Sequence, residues 1–175
     1  MLRHFIQQEK QKTLTINEVL AMSKRKGLRA IEYDKLHKVT LKTLLPSETS
    51  GVLILFMDKR NKNSNVGHYC LLFRSPQCGV VFFDAYGKGY QNIVELSRNK
   101  DKLHNLLKTT DAFINKKPYQ ARKHSETCGR HCVVRWDCSH LKPNEYAALM
   151  SDPKLSPDEI VILFTSDADL TKFKV

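Results

Sequence analysis

The sequence lacks any apolar run of about 18 residues or more and has no charged-then-apolar stretch at its start, so neither a membrane-spanning helix nor a secretory signal is expected. Its five cysteines are an odd number in a chain with 41% hydrophobic content, which does not suit a disulfide framework. A soluble, intracellular and non-secreted protein of a reducing compartment fits better. Cys128, His131, Cys132, Cys138 and His140 lie close together, yet the paired C-x2-C knuckles of common zinc sites are missing. No metal and no required cofactor is therefore expected. Internal repeats and low-complexity tracts are absent too, which excludes solenoids and long flexible linkers.

Acidic residues are scarce. With 29 Lys and Arg against 18 Asp and Glu, the net charge is +11. The excess is +6 over residues 1–45 (10 basic, 4 acidic), +7 over 46–150 (16 and 9) and −2 over 151–175 (3 and 5). Basic character spread in this way favours an extended polyanion-binding surface, with non-specific DNA as the expected polyanion. The exposed candidates are Lys24, Arg25, Lys26 and Arg29, and a second group, Lys116, Lys117, Arg122 and Lys123. A solvated, Lys-rich surface with no partner is the competing reading.

What is present is enough for one domain, residues 1–175, with a sizeable core. Thr15-Ile16-Asn17-Glu18 is a capping box opening a helix to about Lys24, with Gly27 as its stop. Residues 51–57, 68–74 and 79–84 are apolar, β-branched and aromatic runs, and the last two flank the turn-forming Ser75-Pro76-Gln77-Cys78. Helical periodicity runs over 92–108, and Lys142-Pro143 opens a helix through Met150. Ser156-Pro157-Asp158-Glu159 is a second capping box ahead of a helix across 160–164, and 167–175 are expected to fray. Strands followed by helices predict an α+β fold, a central mixed sheet flanked by helices.

The chemistry lies in the order His68, Asp84, Cys128. A turn centred near Gln77 pairs Arg74 with Val80 and Cys70 with Asp84, which puts His68 and Asp84 on one face as diagonal neighbours. Asp84 could then fix the imidazole tautomer and leave the other ring nitrogen to face a thiol. Ser125 and Thr127 are good N-cap residues, and Gly129, Cys132, Val133 and Trp136 fall on a helical period, so Cys128 begins a helix whose N-terminus favours an anion. A thiol becomes a strong nucleophile beside an imidazole or at such a helix start. A buried inert Cys is the plain reading of a lone Cys-Gly. Gln120, in a polar stretch after Pro118-Tyr119, could supply an oxyanion donor together with the Cys128 N–H.

Gly67-His68-Tyr69, the segment from Phe82 to Gly87, Gln120 and Thr127-Cys128-Gly129 resemble the four signature blocks of the adenovirus endopeptidase, of the clan that includes the SUMO and ubiquitin-like-protein proteases. Cys-Gly-Arg-His-Cys-Val-Val-Arg is similar to proteases of virophages, Maverick/Polinton elements and large DNA viruses. The resemblance covers about half the chain, residues 50–136, and departs at Tyr69, where a Trp is more usual. It implies a papain-like, adenain-like fold and a thiol endopeptidase that matures capsid and other virion proteins. In that reading His68 is the base, Asp84 its orienter, Cys128 the nucleophile and Gln120 the oxyanion donor. It further implies cleavage at short Gly-containing motifs, DNA and a capsid-derived peptide as activators, and a place in the virion or in the cytoplasm or nucleus of an infected cell. A monomer without membrane association is expected. A ubiquitin-like-modifier deconjugase and a non-catalytic nucleic-acid-binding protein of the same fold are the alternatives.

Overall fold

The computed structural model describes residues 1–36, 39–57, 67–89, 101–121 and 125–166. Its frame is β2 (Gly51–Met57), the run GVLILFM, buried at six of seven positions. A strand apolar on both faces belongs in the middle of a sheet. β1 (Leu28–Glu32) pairs with it in parallel on one side and β3 (Gly67–Ser75) antiparallel on the other. β4 (Gly79–Asp84) pairs antiparallel with β3, and β5 (Phe113–Ile114) joins β4 in parallel, giving a mixed sheet of order β1-β2-β3-β4-β5.

The hairpin turn at 76–78 sets the expected register, Arg74 opposite Val80 and Cys70 opposite Asp84. Alternation then sorts the two faces. Tyr69, Leu71 and Phe73 of β3 join Val81 and Phe83 of β4 in a core with Val19, Trp136, Tyr146 and Val161. Cys70, Leu72, Val80 and Phe82 face the other way, onto Tyr33, Leu44, Leu45 and Leu103.

Seven α-helices are present among the described residues. α1 is Leu2–Lys10, α2 Ile16–Met22, α3 Leu41–Leu44, α4 Asp101–Leu107, α5 Cys128–Asp137, α6 Pro143–Leu149 and α7 Pro157–Thr165. Both predicted capping boxes form, Thr15 with Glu18 and Ser156 with Glu159. α4 is the described part of the periodic segment 92–108, whereas 92–100 and the tail 167–175 lie outside the described residues. No helix among the described residues is long and apolar enough to cross a membrane.

α5 lies across β3, wrapped by α2 and α7, and nine of its ten residues are buried. Burial on all sides requires its cations to be partnered. The Arg135 guanidinium stacks over Phe73 and Tyr146, at 4.9 and 4.8 Å, and donates to the carbonyls of Cys138 and Leu141. Trp136 meets Phe73 edge-on at 6.2 Å, donates from Nε1 to the Arg25 carbonyl at 3.1 Å and carries the Arg25 guanidinium 4.7 Å above its ring. This fully buried indole clamps α5 to the sheet. Trp136→Ala is expected to cost about 3–5 kcal/mol, the range for emptying an aromatic core site. Urea denaturation followed by far-UV circular dichroism checks it, and a loss under 1 kcal/mol (on the order of a surface change) would mean that the clamp is not structural.

Candidate active site

His68 is the second residue of β3, and its β4-side neighbour has left the ladder, which ends at Cys70 opposite Asp84. The displaced Tyr86 stacks on the imidazole instead, ring centroids 4.6 Å apart and 17° from parallel. His68 Nε2 meets Asp84 Oδ1 at 2.8 Å, with the His68 side chain only 10% exposed and Asp84 fully buried. The predicted diagonal pair is thus formed. Nδ1 is not taken by Asp84, and the Cys70 and Cys128 thiols both bear on the ring and raise its pKa.

Asp84 is held from three directions. Its Oδ1 also accepts from the Tyr86 N–H at 3.0 Å and its Oδ2 from the Lys88 N–H at 3.0 Å. The turn that delivers these amides needs Gly87 at φ +64°, where a Cβ would lie 2.6 Å from the Lys117 carbonyl carbon. Asn115, buried in the segment after β5, accepts from the Asp84 N–H and donates to its carbonyl, both at 2.8 Å, and also donates to the Lys117 carbonyl. Sequence reasoning passed over Asn115, because its role depends on β5 lying beside β4.

Burial works against a charged His68. The neighbouring Cys70, the bond to the Asp84 carboxylate and the Cys128 contact outweigh it, so the imidazole pKa lies well above its usual 6.5. Burial pushes the Cys70 thiol up to about 12, which leaves it neutral at pH 7. Of these partners, the Asp84 carboxylate is therefore the one that chiefly holds the proton on His68.

Cys128 is the first residue of α5 and is buried, 5% exposed. The glycine after it is a steric requirement. A Cβ on Gly129 would come 2.7 Å from the Val19 side chain and 3.4 Å from the Tyr69 ring. Cys132, one turn on, is fully buried and points its thiol at the Tyr69 carbonyl, as a packing residue would. Thr127 occupies the N-cap position, but its side chain makes no capping bond. Its hydroxyl donates instead to Asp158.

Gln120 sits in the loop after β5, its N–H donating to the Ala85 carbonyl at 3.0 Å. Its side-chain Nε2 donates to the Ser125 carbonyl at 2.6 Å, which uses one of its two amide hydrogens. Its Oε1 is buried with no partner among the described residues. The structure thus ties Gln120 to the approach to Cys128.

The start of α5 is tied to both ends of the chain. Glu126 N–H donates to the Lys10 carbonyl at 2.6 Å, and buried Arg130 pairs with Glu9 and donates to Thr165 Oγ1 at 2.6 Å. Against α2 and β3 lies a cleft of about 480 Å³, lined by Leu14, Ile16, Leu55, Met57 and Tyr69 with Glu32 and Asn17 among its polar groups.

His68, Cys70 and Asp84 place ligand atoms within 4.8 Å of one another, the single such group among the described residues, so the cluster about Cys128, His131 and Cys138 is no ligand set. The group is not a clear metal site. Nε2 and Oδ1 at 2.8 Å are hydrogen-bonded and too close to share an ion at zinc–ligand distances of about 2.0 Å in tetrahedral geometry.

The basic candidates fall at opposite edges of the sheet. Lys24, Arg25, Lys26 and Arg29 lie around β1 and near the far end of α5 from Cys128, about 15 Å along that helix. Arg29 is partly committed, donating to the carbonyls of Thr43 and Leu44. Lys116 and Lys117 are exposed beyond β5, and Arg122 and Lys123 lie outside the described residues.

No family model matches the chain. A search of curated proteins finds an uncharacterized protein, V9, of Sputnik virophage, 28% identical over 131 residues, spanning 66% of this chain and 73% of that protein. The similarity links the chain to a virophage protein of no stated activity.

The raised His68 pKa has a sign that can be tested. A group whose pKa is higher when folded stabilises the fold fully below its unfolded value near 6.5, and the contribution is lost as pH rises through the folded value. The His68 Cε1 proton resonance should titrate with a midpoint above 6.5 and shift to lower pH in Asp84→Asn. A midpoint at or below 6.5 in the wild type would contradict the assignment of Asp84 as its partner.

Proposed function

We propose that this chain is a cysteine endopeptidase using Cys128 as nucleophile, His68 as base, Asp84 as orienter and Gln120 as oxyanion donor. One observation carries the reading: His68 Nε2 is bonded to the buried Asp84 carboxylate at 2.8 Å, while Cys128, which also bears on the ring, begins a ten-residue helix. In this mechanism the His68 imidazolium and the helix N-terminus stabilise the Cys128 thiolate, which attacks the scissile carbonyl. The oxyanion is met by the Cys128 N–H and the free hydrogen of Gln120 Nε2. His68 then passes its proton to the leaving amine, and water releases the acyl group with His68 again as base. The apolar cleft beside Tyr69 would seat substrate side chains on one side of the scissile bond. The similarity to a virophage protein and the motif blocks together favour virion proteins as the substrates, and an adenain-like fold of the papain type.

Cys128→Ala should abolish peptide cleavage, whereas Cys132→Ala should keep it, since its thiol only packs. His68→Ala should fall to background and Asp84→Asn should retain measurable turnover, because the acid orients the base without taking the substrate's proton. Assays on co-expressed virion proteins, read by mass spectrometry, decide this. An active Cys128→Ala beside a dead Cys132→Ala, or wild-type turnover in both His68 and Asp84 variants, would sink the assignment.

The basic edges support binding of DNA through phosphates. Affinity for a short labelled duplex should then be indifferent to sequence and fall log-linearly with salt, with a slope near −0.9 for each phosphate neutralised (roughly, for B-DNA). Fluorescence anisotropy across a salt series measures it, beside cleavage assays with and without DNA. Undetectable or salt-insensitive binding removes the DNA claim, and binding with unchanged cleavage rejects activation.

A further inference from the structure

A second buried His–Asp pair stands behind the first. Asp158, the second residue of α7, is 3% exposed, and its carboxylate gathers three groups from the loop and helix around Cys128. Oδ2 accepts the Ala121 N–H at 3.1 Å, one residue after Gln120. Oδ1 accepts from the Thr127 hydroxyl, one residue before Cys128, and from His131 Nε2 at 3.0 Å, one turn into α5. Burial would raise its pKa, but the bonds from His131, Thr127 and the Ala121 amide outweigh it and hold the carboxyl below its ordinary range. It is therefore an anion at pH 7, and an anion buried this deeply organises the donors around it.

The consequence falls on Thr127. Its hydroxyl has one hydrogen, which goes to Asp158, so Ser125 Oγ donates to Thr127 Oγ1 at 2.7 Å. A threonine at this position ordinarily accepts a bond from an N–H of the first helical turn. Here it does not, and the first intrahelical bond is the His131 N–H to the Thr127 carbonyl. The earlier N–H groups of α5 have no acceptor inside the helix, as at any helix start.

Resting on the protease reading above, we propose that Asp158 is the positioning residue of this active site. It fixes the Gln120 and Cys128 segments at one separation and turns the N-cap hydroxyl away, so that the first-turn N–H groups remain open to the oxyanion. Asp158 touches no substrate.

The test separates oxyanion geometry from general loosening. Peptide hydrolysis develops an oxyanion, whereas alkylation of Cys128 by iodoacetamide forms an S–C bond at a saturated carbon, expels iodide and develops none. In Asp158→Asn, kcat should fall about 100-fold with KM changed by less than about threefold, as for loss of one oxyanion donor. The alkylation rate should stay within about threefold of wild type. If Asp158→Asn does not fold, Thr127→Val and Thr127→Ser carry the test: the valine should lose at least about tenfold in kcat and the serine, which keeps the hydroxyl, should recover most of it. Wild-type kcat in Asp158→Asn, alkylation falling in parallel with hydrolysis, or equal kcat in the two Thr127 variants would each overturn the proposal while leaving the protease reading in place. A wild-type protein that neither cleaves virion-protein peptides nor alkylates selectively at Cys128 would overturn both.

Discussion

The register of β3 against β4 is the constraint on which the site depends. Cys70 opposite Asp84 puts His68 two residues beyond the last rung, on the same face as the carboxylate and at the edge where α5 begins. A slip of one residue would move Asp84 to the opposite face and leave a buried carboxylate without its imidazole. The same slip would turn Val81 and Phe83 of β4 away from the core they share with Trp136 and Tyr146. Packing on both faces of the sheet therefore guards the His68–Asp84 pair far more strongly than its own hydrogen bond, which nets about 1.5–3 kcal/mol for a charged partner.

Around that frame, Glu9 pairs with Arg130 and Asp158 bonds to His131, tying α1 and α7 to the first turns of α5, while Lys10 pairs with Glu159 between α1 and α7. Burying such pairs returns little net stability, because desolvation offsets their attraction. What they supply is fixed position. Removing one partner from a buried pair costs about 3–5 kcal/mol, so α5 cannot shift cheaply against α1. The proposed chemistry tolerates only small displacements, and the start of α5 is held by α1 and α7.

Much of this was legible in the sequence for definite reasons. The capping boxes at Thr15 and Ser156 are local and speak for themselves, and Pro76 with Gly79 set the turn from which the His68–Asp84 register follows. α1, β1 and β5 escaped. The helix LRHFIQQEK buries Ile6 alone, and neither the five residues of β1 nor the two of β5 include a buried one, so none draws a clear period. Asn115 and Asp158 escaped with them. A lone Asn or a helix-start Asp carries no local mark of function, and 31 residues separate each from its partner, Asp84 or Thr127. Thr127 was legible as an N-cap by position, while its actual bond was not, because the competing acceptor comes from α7.

The two His–Asp pairs differ in the one respect that matters for chemistry. Both join a carboxylate oxygen to Nε2, at 2.8 Å in His68 and 3.0 Å in His131, and both carboxylates are buried. The other nitrogen of His68 is not taken by Asp84, Cys128 bears on the ring and the side chain keeps 10% exposure, which is the opening that the proposed mechanism uses. His131 Nδ1 is buried with no partner among the described residues, so its ring has nowhere to pass a proton. One motif therefore serves two ends in this fold. Open on one side, it is the pair that the proposed mechanism uses as a base, and closed on both it holds the helix that begins at Cys128.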